Sequence, residues 1–367
     1  MKSKNLTSFI LASTLILTLT GCSTPNTTES DNIPSTNPPS NTVEVIPQDS
    51  QETPTQEPAP VASDTSSETQ TEANQDTTSE PKETETVTAP NEITIQTNIP
   101  YTTKAATLNG NITLSLDLYS PTDDNGNPII NNQPAVLLIH GGAFIAGSKN
   151  LSYMKTWATE LAKEGYVVAN INYRLLPSRP TPSNQTLINY LNNADPTSAL
   201  PAQAPPEAIT ALRVGLAVAI EDANTALSWL TKQGVNPKRI AVAGESAGSI
   251  TALHLAYLND TLKLNPVTPA AVLNIYGAMS KPKNGGTEIS KNEPPLWTIH
   301  GTLDPIVPYT AAEYLDTQMT KTNIPHTLHS IQNAGHGMTQ VGYLTNKTDS
   351  GITYLQDSIN FLKQHLK

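Results

Sequence analysis

Two hydrophobic rhythms run through the chain beyond residue 91. The first is alternation. In NEITIQTNIPYT (91–102) and GNITLSLDLYSP (110–121) apolar and polar residues take turns, and Ile112, Leu114, Leu116 and Leu118 fall on one face. That is the period of a strand with one buried side, and the two segments read as an antiparallel hairpin leading into the fold. The second rhythm is the short apolar run: PAVLLIH (134–140), YVVANINY (166–173), RIAVAG (239–244) and AAVLNIYG (270–277). Such runs suit parallel strands buried on both faces. PPLWTIHG (294–301) and HTLHSIQ (326–332) read as further strands. Helical segments lie between and after them, at 153–165, 217–234, 247–258, 309–321 and 354–366. The first two stop at Gly165 and Gly234, a natural residue just past a helix end. Strands and helices alternate, which predicts an α/β fold with a mostly parallel twisted sheet and helices on both faces.

One stretch breaks the rhythm. Residues 177–215 carry seven prolines and lie between a strand and a helix where a short loop would serve. An insertion beyond a strand end reads either as a lid or pocket wall, or as a surface excursion without a role.

Composition changes the picture before residue 92. Residues 1–22 open on Lys2 and Lys4, continue through an apolar Leu6–Thr20 and end in LTGC. A basic start and a short apolar core are the marks of a signal peptide, and the core is short for a membrane span. The ending resembles the lipobox of bacterial lipoproteins, which implies cleavage before Cys22 and a lipid on it. Cys22 is the single cysteine, so no internal disulfide can form. Residues 23–91 are Thr, Ser, Pro, Glu, Gln and Asn with thirteen acidic residues and one lysine, Lys82. Such a segment cannot bury enough apolar surface to offset its chain entropy and is expected to be a disordered tether. A flexible chain of that length spans on the order of 50 Å. The expected location is therefore extracytoplasmic, on a bacterial membrane at the cell surface or in the periplasm, held through Cys22.

Charge follows the same division. The whole chain carries −11, the signal segment +2 and the tether −12, which leaves −1 for residues 92–367. A near-neutral folded part shows no basic patch for nucleic acid.

The candidate chemistry begins at AVAGESAGSI (241–250). Gly-x-Ser-x-Gly is a weak signal alone, but here Ser246 stands between a predicted strand and a predicted helix, which is the setting of a nucleophile. In open α/β sheets ligands bind beyond the carboxyl ends of the strands. At those ends stand HGGAF (140–144), TLDPIVP (302–308) with Asp304, and QNAGHGM (332–338) with His336. Two glycines at 141 and 142 let N–H groups face a substrate. Taken alone, Asp304 equally reads as a cap for the following turn, and His336 as a surface loop residue. Of the seven histidines, His254 and His365 fall in predicted helices and His300, His326 and His329 in or beside strands. His326 and His329 point to opposite faces of a strand, which argues against a metal site.

LLIHGGAFIAGSK, NYRLLP, EDANTALSWL, GESAGS, HGTLDPIVP and GHG together resemble the α/β-hydrolase carboxylesterases and lipases of the hormone-sensitive-lipase-like and feruloyl-esterase-like branch, over residues 92–367. The order Ser246, Asp304, His336 is the order of that superfamily. The resemblance implies a catalytic triad of these three. It implies an oxyanion hole from the N–H groups of Gly141, Gly142, Ala143 and Ala247, a small ester substrate, and neither metal nor organic cofactor. Ala143 stands where the fuller motif has a third glycine. Other substrates remain open: acylated cell-wall or plant polysaccharide, through a deacetylase or feruloyl esterase, or a peptide. A binding module without catalysis is the third reading; such proteins usually lack a triad member, and none is missing here.

Overall fold

The computed structural model describes residues 92–106, 110–195, 205–264, 267–283 and 289–367. The expected signal segment, with Cys22, and the expected tether lie outside them.

The chain opens with strands β1 (Ile93–Ala106) and β2 (Gly110–Pro121), an antiparallel pair as the alternation predicts. It continues through β3 (Ala135–Ile139), helix α1 (Ser152–Lys163), β4 (Val167–Ile171), α2 (Gln185–Asn193), β5 (Ala194–Asp195) and α3 (Pro206–Lys232). Then come β6 (Ile240–Glu245), α4 (Ala247–Tyr257), α5 (Asn259–Leu262), β7 (Ala271–Ile275), β8 (Lys281–Pro282) and β9 (Leu296–Gly301). The last elements are α6 (Thr310–Thr322), β10 (His326–Ile331), α7 (Met338–Val341) and α8 (Tyr354–His365).

Eight strands form one sheet in the order β1-β2-β4-β3-β6-β7-β9-β10. The pairs from β4 to β10 are parallel, and β2 pairs antiparallel with β4. β5 and β8 form a separate two-residue pair. Side chains alternate across the sheet: Leu137 and Ile139 pack with α3, α4 and α6, whereas Val136 and Leu138 pack with α1 and α8. Both faces are thus covered, which is why these strands read as unbroken apolar runs. β4 lies on one side of β3 and β6 on the other, so the connections diverge there. Such a switch point opens a crevice beyond the strand ends, and the loops after β3 and β6 form its walls.

The insertion is more ordered than its prolines imply. Asn184 caps α2 by accepting from the Leu187 N–H at 3.0 Å. α3 starts at Pro206, eleven residues before the predicted helix. Pro205 and Pro206 are a helix start rather than a breaker, since proline at the first position loses no hydrogen bond. Arg174 fixes the segment from below. Its guanidinium reaches Asp222 and Glu221, each at 2.9 Å, and Glu221 also accepts from the Asn184 N–H at 2.6 Å.

A second buried pair holds the chain where it leaves the loop after β3. Lys149 Nζ lies 2.6 Å from Asp117 Oδ1, with both side chains almost fully buried. Asn98 joins them, accepting from Lys149 at 2.9 Å and donating its N–H to Asp117 at 2.8 Å. Removing one partner strands the other charge in the interior. Lys149→Met is expected to destabilise the fold by about 3–5 kcal/mol and to lower the melting temperature by on the order of 10 °C. The double variant Lys149→Met/Asp117→Leu regains most of that. Thermal denaturation of the three proteins tests this, and a single variant that melts with the wild type sinks it.

Candidate active site

Ser246 sits between β6 and α4 at φ 51° and ψ −120°, a conformation that side chains rarely adopt. The surroundings leave no slack. A Cβ on Gly244 would meet the Gly248 backbone at 2.4 Å, and one on Gly248 would meet the Ile139 carbonyl at 2.1 Å. Both glycines are therefore required by the close crossing of chain segments. The Ser246 N–H donates to Ile275 O at 3.0 Å and the Ile250 N–H to Ser246 O at 2.9 Å, so the strained turn is held from both sides.

His336 Nε2 lies 2.9 Å from Ser246 Oγ, and its Nδ1 lies 2.7 Å from Asp304 Oδ2. A carboxylate only accepts, so Nδ1 carries the proton and Nε2 presents its lone pair to the serine hydroxyl. The residues come together because two loops are laced to each other. Leu303 N–H donates to Ala334 O at 2.9 Å, Thr302 N–H to Ile331 O at 3.0 Å, and Asn333 N–H to Thr302 Oγ1 at 2.9 Å. Asp304 uses its two oxygens differently. Oδ1 accepts from the N–H groups of Ile306 at 2.8 Å and Val307 at 2.9 Å, capping that turn, while Oδ2 faces His336. Burial pushes the Asp304 carboxyl up, but hydrogen bonds from His300 and His336 outweigh it and hold the group well below the usual carboxylate range. The Tyr276 ring meets His336 edge-on, with ring centres 4.7 Å apart.

The expected oxyanion donors divide. Gly141 is a correction: its N–H donates to Glu245 Oε1 at 2.6 Å and is not free for a substrate. That bond anchors the loop, and a Cβ on Gly141 would collide with the same carboxylate at 2.1 Å. The N–H groups of Gly142, Ala143 and Ala247 take no acceptor among the described residues. Gly142, Ala143 and Phe144 all have positive φ, and the Ile145 and Ala146 N–H groups both donate to Gly142 O. Ala143 accepts this left-handed conformation at a cost of about 1–2 kcal/mol. The insertion supports the loop from outside: Gly215 of α3 lies against Phe144, where an added Cβ would sit 2.6 Å away.

Three neighbouring side chains carried no usable sequence signal. Glu245 precedes the serine in GESAG and accepts from Tyr153 Oη at 2.8 Å as well as from Gly141. Tyr276 and His300 lie at or near the carboxyl ends of strands distant in sequence. His140 opens the HGGAF loop and is buried. Its ring stacks on Tyr173 at 4.4 Å, and burial pushes it down to about 4, partly opposed by its hydrogen bond to Gly141 O.

Residues 125–366 match the dienelactone hydrolase family. Among solved structures, esterase 2 of Thermogutta terrifontis in a propionate-bound form is 18% identical, with 75% of this chain and 94% of that chain covered and a TM-score of 0.49. A truncated carbohydrate esterase from gut microbiota is 17% identical, covering 75% of this chain and 97% of its own, at a TM-score of 0.48. An esterase from Rhizomucor miehei is 15% identical, with 76% and 85% covered and a TM-score of 0.49.

Proposed function

The chain belongs to the dienelactone hydrolase family, of the α/β-hydrolase superfamily, and is a hydrolase of the carboxylesterase type; on that premise we propose that it cleaves small esters of short acyl chains through Ser246, His336 and Asp304. The observation that carries this reading is the imidazole of His336, hydrogen-bonded to a hydroxyl on one side and a carboxylate on the other. His336 takes the Ser246 proton as Oγ attacks the ester carbonyl. The developing oxyanion lies against the N–H groups of Ala247 and of Gly142 or Ala143, at the start of α4 where the helix dipole also favours negative charge. His336 then gives its proton to the departing alcohol. Water enters, loses a proton to His336 and releases the acid from the acyl-enzyme. Asp304 keeps Nδ1 protonated throughout and stabilises the imidazolium.

We also propose that residues 23–91 tether this domain to a membrane through a lipid on Cys22, on the strength of LTGC and the acidic composition alone.

The test uses the full chain with a fluorophosphonate probe and nitrophenyl esters from C2 to C12. The expected result is one covalent label, mapped by mass spectrometry to the Ser246 peptide, and hydrolysis that is fastest at C2–C4. Absence of label overturns the nucleophile. A label without hydrolysis at any chain length overturns the small-ester substrate and directs attention to acylated polymers.

A further inference from the structure

His300 is a fully buried histidine at the end of β9, four residues before Asp304. Its Nε2 lies 2.9 Å from Val307 O and 3.3 Å from Asp304 Oδ2. A carbonyl only accepts, so Nε2 carries the proton and donates it to Val307 O, with the Asp304 carboxylate beside it. Nδ1 is then left with a bare lone pair, buried and without a hydrogen-bond partner among the described residues. An unpaired buried polar atom costs about 1–3 kcal/mol, and in a native structure it calls for an explanation. An apolar side chain would fill the same space without that cost.

The return is at Asp304. Three N–H groups donate to this one carboxylate, Ile306 and Val307 on Oδ1 and His336 on Oδ2, and the positive edge of His300 Nε2–H lies 3.3 Å from Oδ2. The two backbone donors hold one oxygen. Without His300, the orientation of the other rests on His336 alone, the group that must change charge during turnover. We infer that His300 is a positioning residue for the reaction: its N–H, held against Val307 O and 3.3 Å from Oδ2, fixes the plane of the Asp304 carboxylate and draws negative charge from Oδ2, and so sets how strongly that carboxylate supports His336 as a base. The inference rests on the triad reading above. The other titratable groups facing the pair are Tyr276, edge-on to His336, Glu245 behind Tyr276, and Tyr309, whose ring lies 5.9 Å from His300 and whose hydroxyl bonds Ser330.

The test compares His300→Leu and His300→Gln with wild type, reading kcat/KM for nitrophenyl acetate and the rate of fluorophosphonate labelling across pH. Leucine removes the N–H, while the glutamine amide reaches the position of Nε2. In His300→Leu the carboxylate is less well held and carries more charge toward His336. Its kcat/KM at the optimum is expected to fall about tenfold, and its acid limb to move up by about half a pH unit. His300→Gln restores both in large part. A merely structural histidine lowers the melting temperature of His300→Leu and leaves the acid limb in place, which overturns the proposal. Should that variant not fold, wild type decides: the His300 Nε2–H resonance is expected to shift with the midpoint of the acid limb, and a resonance that stays still overturns the proposal. Wild-type protein that takes no label at Ser246 overturns the triad reading itself, whereas a labelled protein with an unmoved acid limb overturns only the role of His300.

Discussion

Ser246→Ala is expected to lower kcat for nitrophenyl esters by about a million-fold while leaving KM within a small factor. In the proposed mechanism the hydroxyl is the atom that forms the acyl-enzyme, and no other hydroxyl lies against His336 Nε2 among the hydrogen bonds of the described residues. Losing it stops the covalent route. The proposed oxyanion donors of Gly142, Ala143 and Ala247 remain, so some acceleration over water survives, as a residual of about 10³–10⁴. Binding groups are untouched, which keeps KM close to wild type. The fold should also be retained, because the strained turn is held by backbone bonds to Ile275 and Ile250 and by the glycine crossings, not by the hydroxyl. Relief of the serine strain does not follow either, since alanine meets the same backbone conformation. Steady-state kinetics beside circular dichroism checks the prediction. A folded variant with more than a few per cent of wild-type kcat rules out Ser246 as nucleophile.

Asp304→Asn is expected to lower kcat/KM by about 10⁴-fold, and the local hydrogen bonds say why. The Ile306 and Val307 N–H groups both donate to one oxygen, so an asparagine must place its carbonyl oxygen there. Its NH2 is then forced into the position of Oδ2, facing His336 Nδ1. Two donors cannot face each other, so Nδ1 gives up its proton and Nε2 takes one. Nε2 now points an N–H at Ser246 instead of a lone pair, and the base is lost without any change of shape. Stability changes as well. The Asp304 carboxyl is held below its ordinary range in the folded state. A depressed carboxylate contributes stability that is present above the unfolded value, near pH 4, and is lost as pH falls through the lower folded value. Asp304→Asn should therefore cost stability at pH 7 and progressively less below about pH 4. A variant with near wild-type kcat/KM rules out the tautomer argument, and an equal stability loss at both pH values rules out the ionic one.

Much of this architecture was legible in one dimension. Apolar runs such as AVLLI and AAVLNI located the central strands to within a residue or two, because a strand covered on both faces is built mainly of apolar side chains. Gly244 and Gly248 marked the elbow, because only glycine passes where chain segments come within contact distance. The helix predicted at 217–234 begins earlier than the sequence suggests, for the opposite reason. Proline signals an interruption in local terms, but Pro206 opens a long helix whose stability comes from packing on the sheet and from the Arg174 ion pairs. Gly141 was misassigned because a motif names which N–H groups lie in a loop, not which are already taken. Its acceptor, Glu245, lies 104 residues away.

By itself the sequence determined the order of strands and helices, the placing of Ser246, Asp304 and His336 at strand ends, and the near-neutral charge of the folded part. These depend on local periodicity, on steric limits at glycine and on counting, all of which act along the chain. Only the tertiary structure decided that His336 spans the gap between Ser246 and Asp304, that Gly141 is spent on Glu245, and that His300 lies 3.3 Å from the same carboxylate. Those outcomes turn on distances of about 3 Å between residues tens of positions apart, and such distances are set by how β3, β6, β7 and β9 lie side by side.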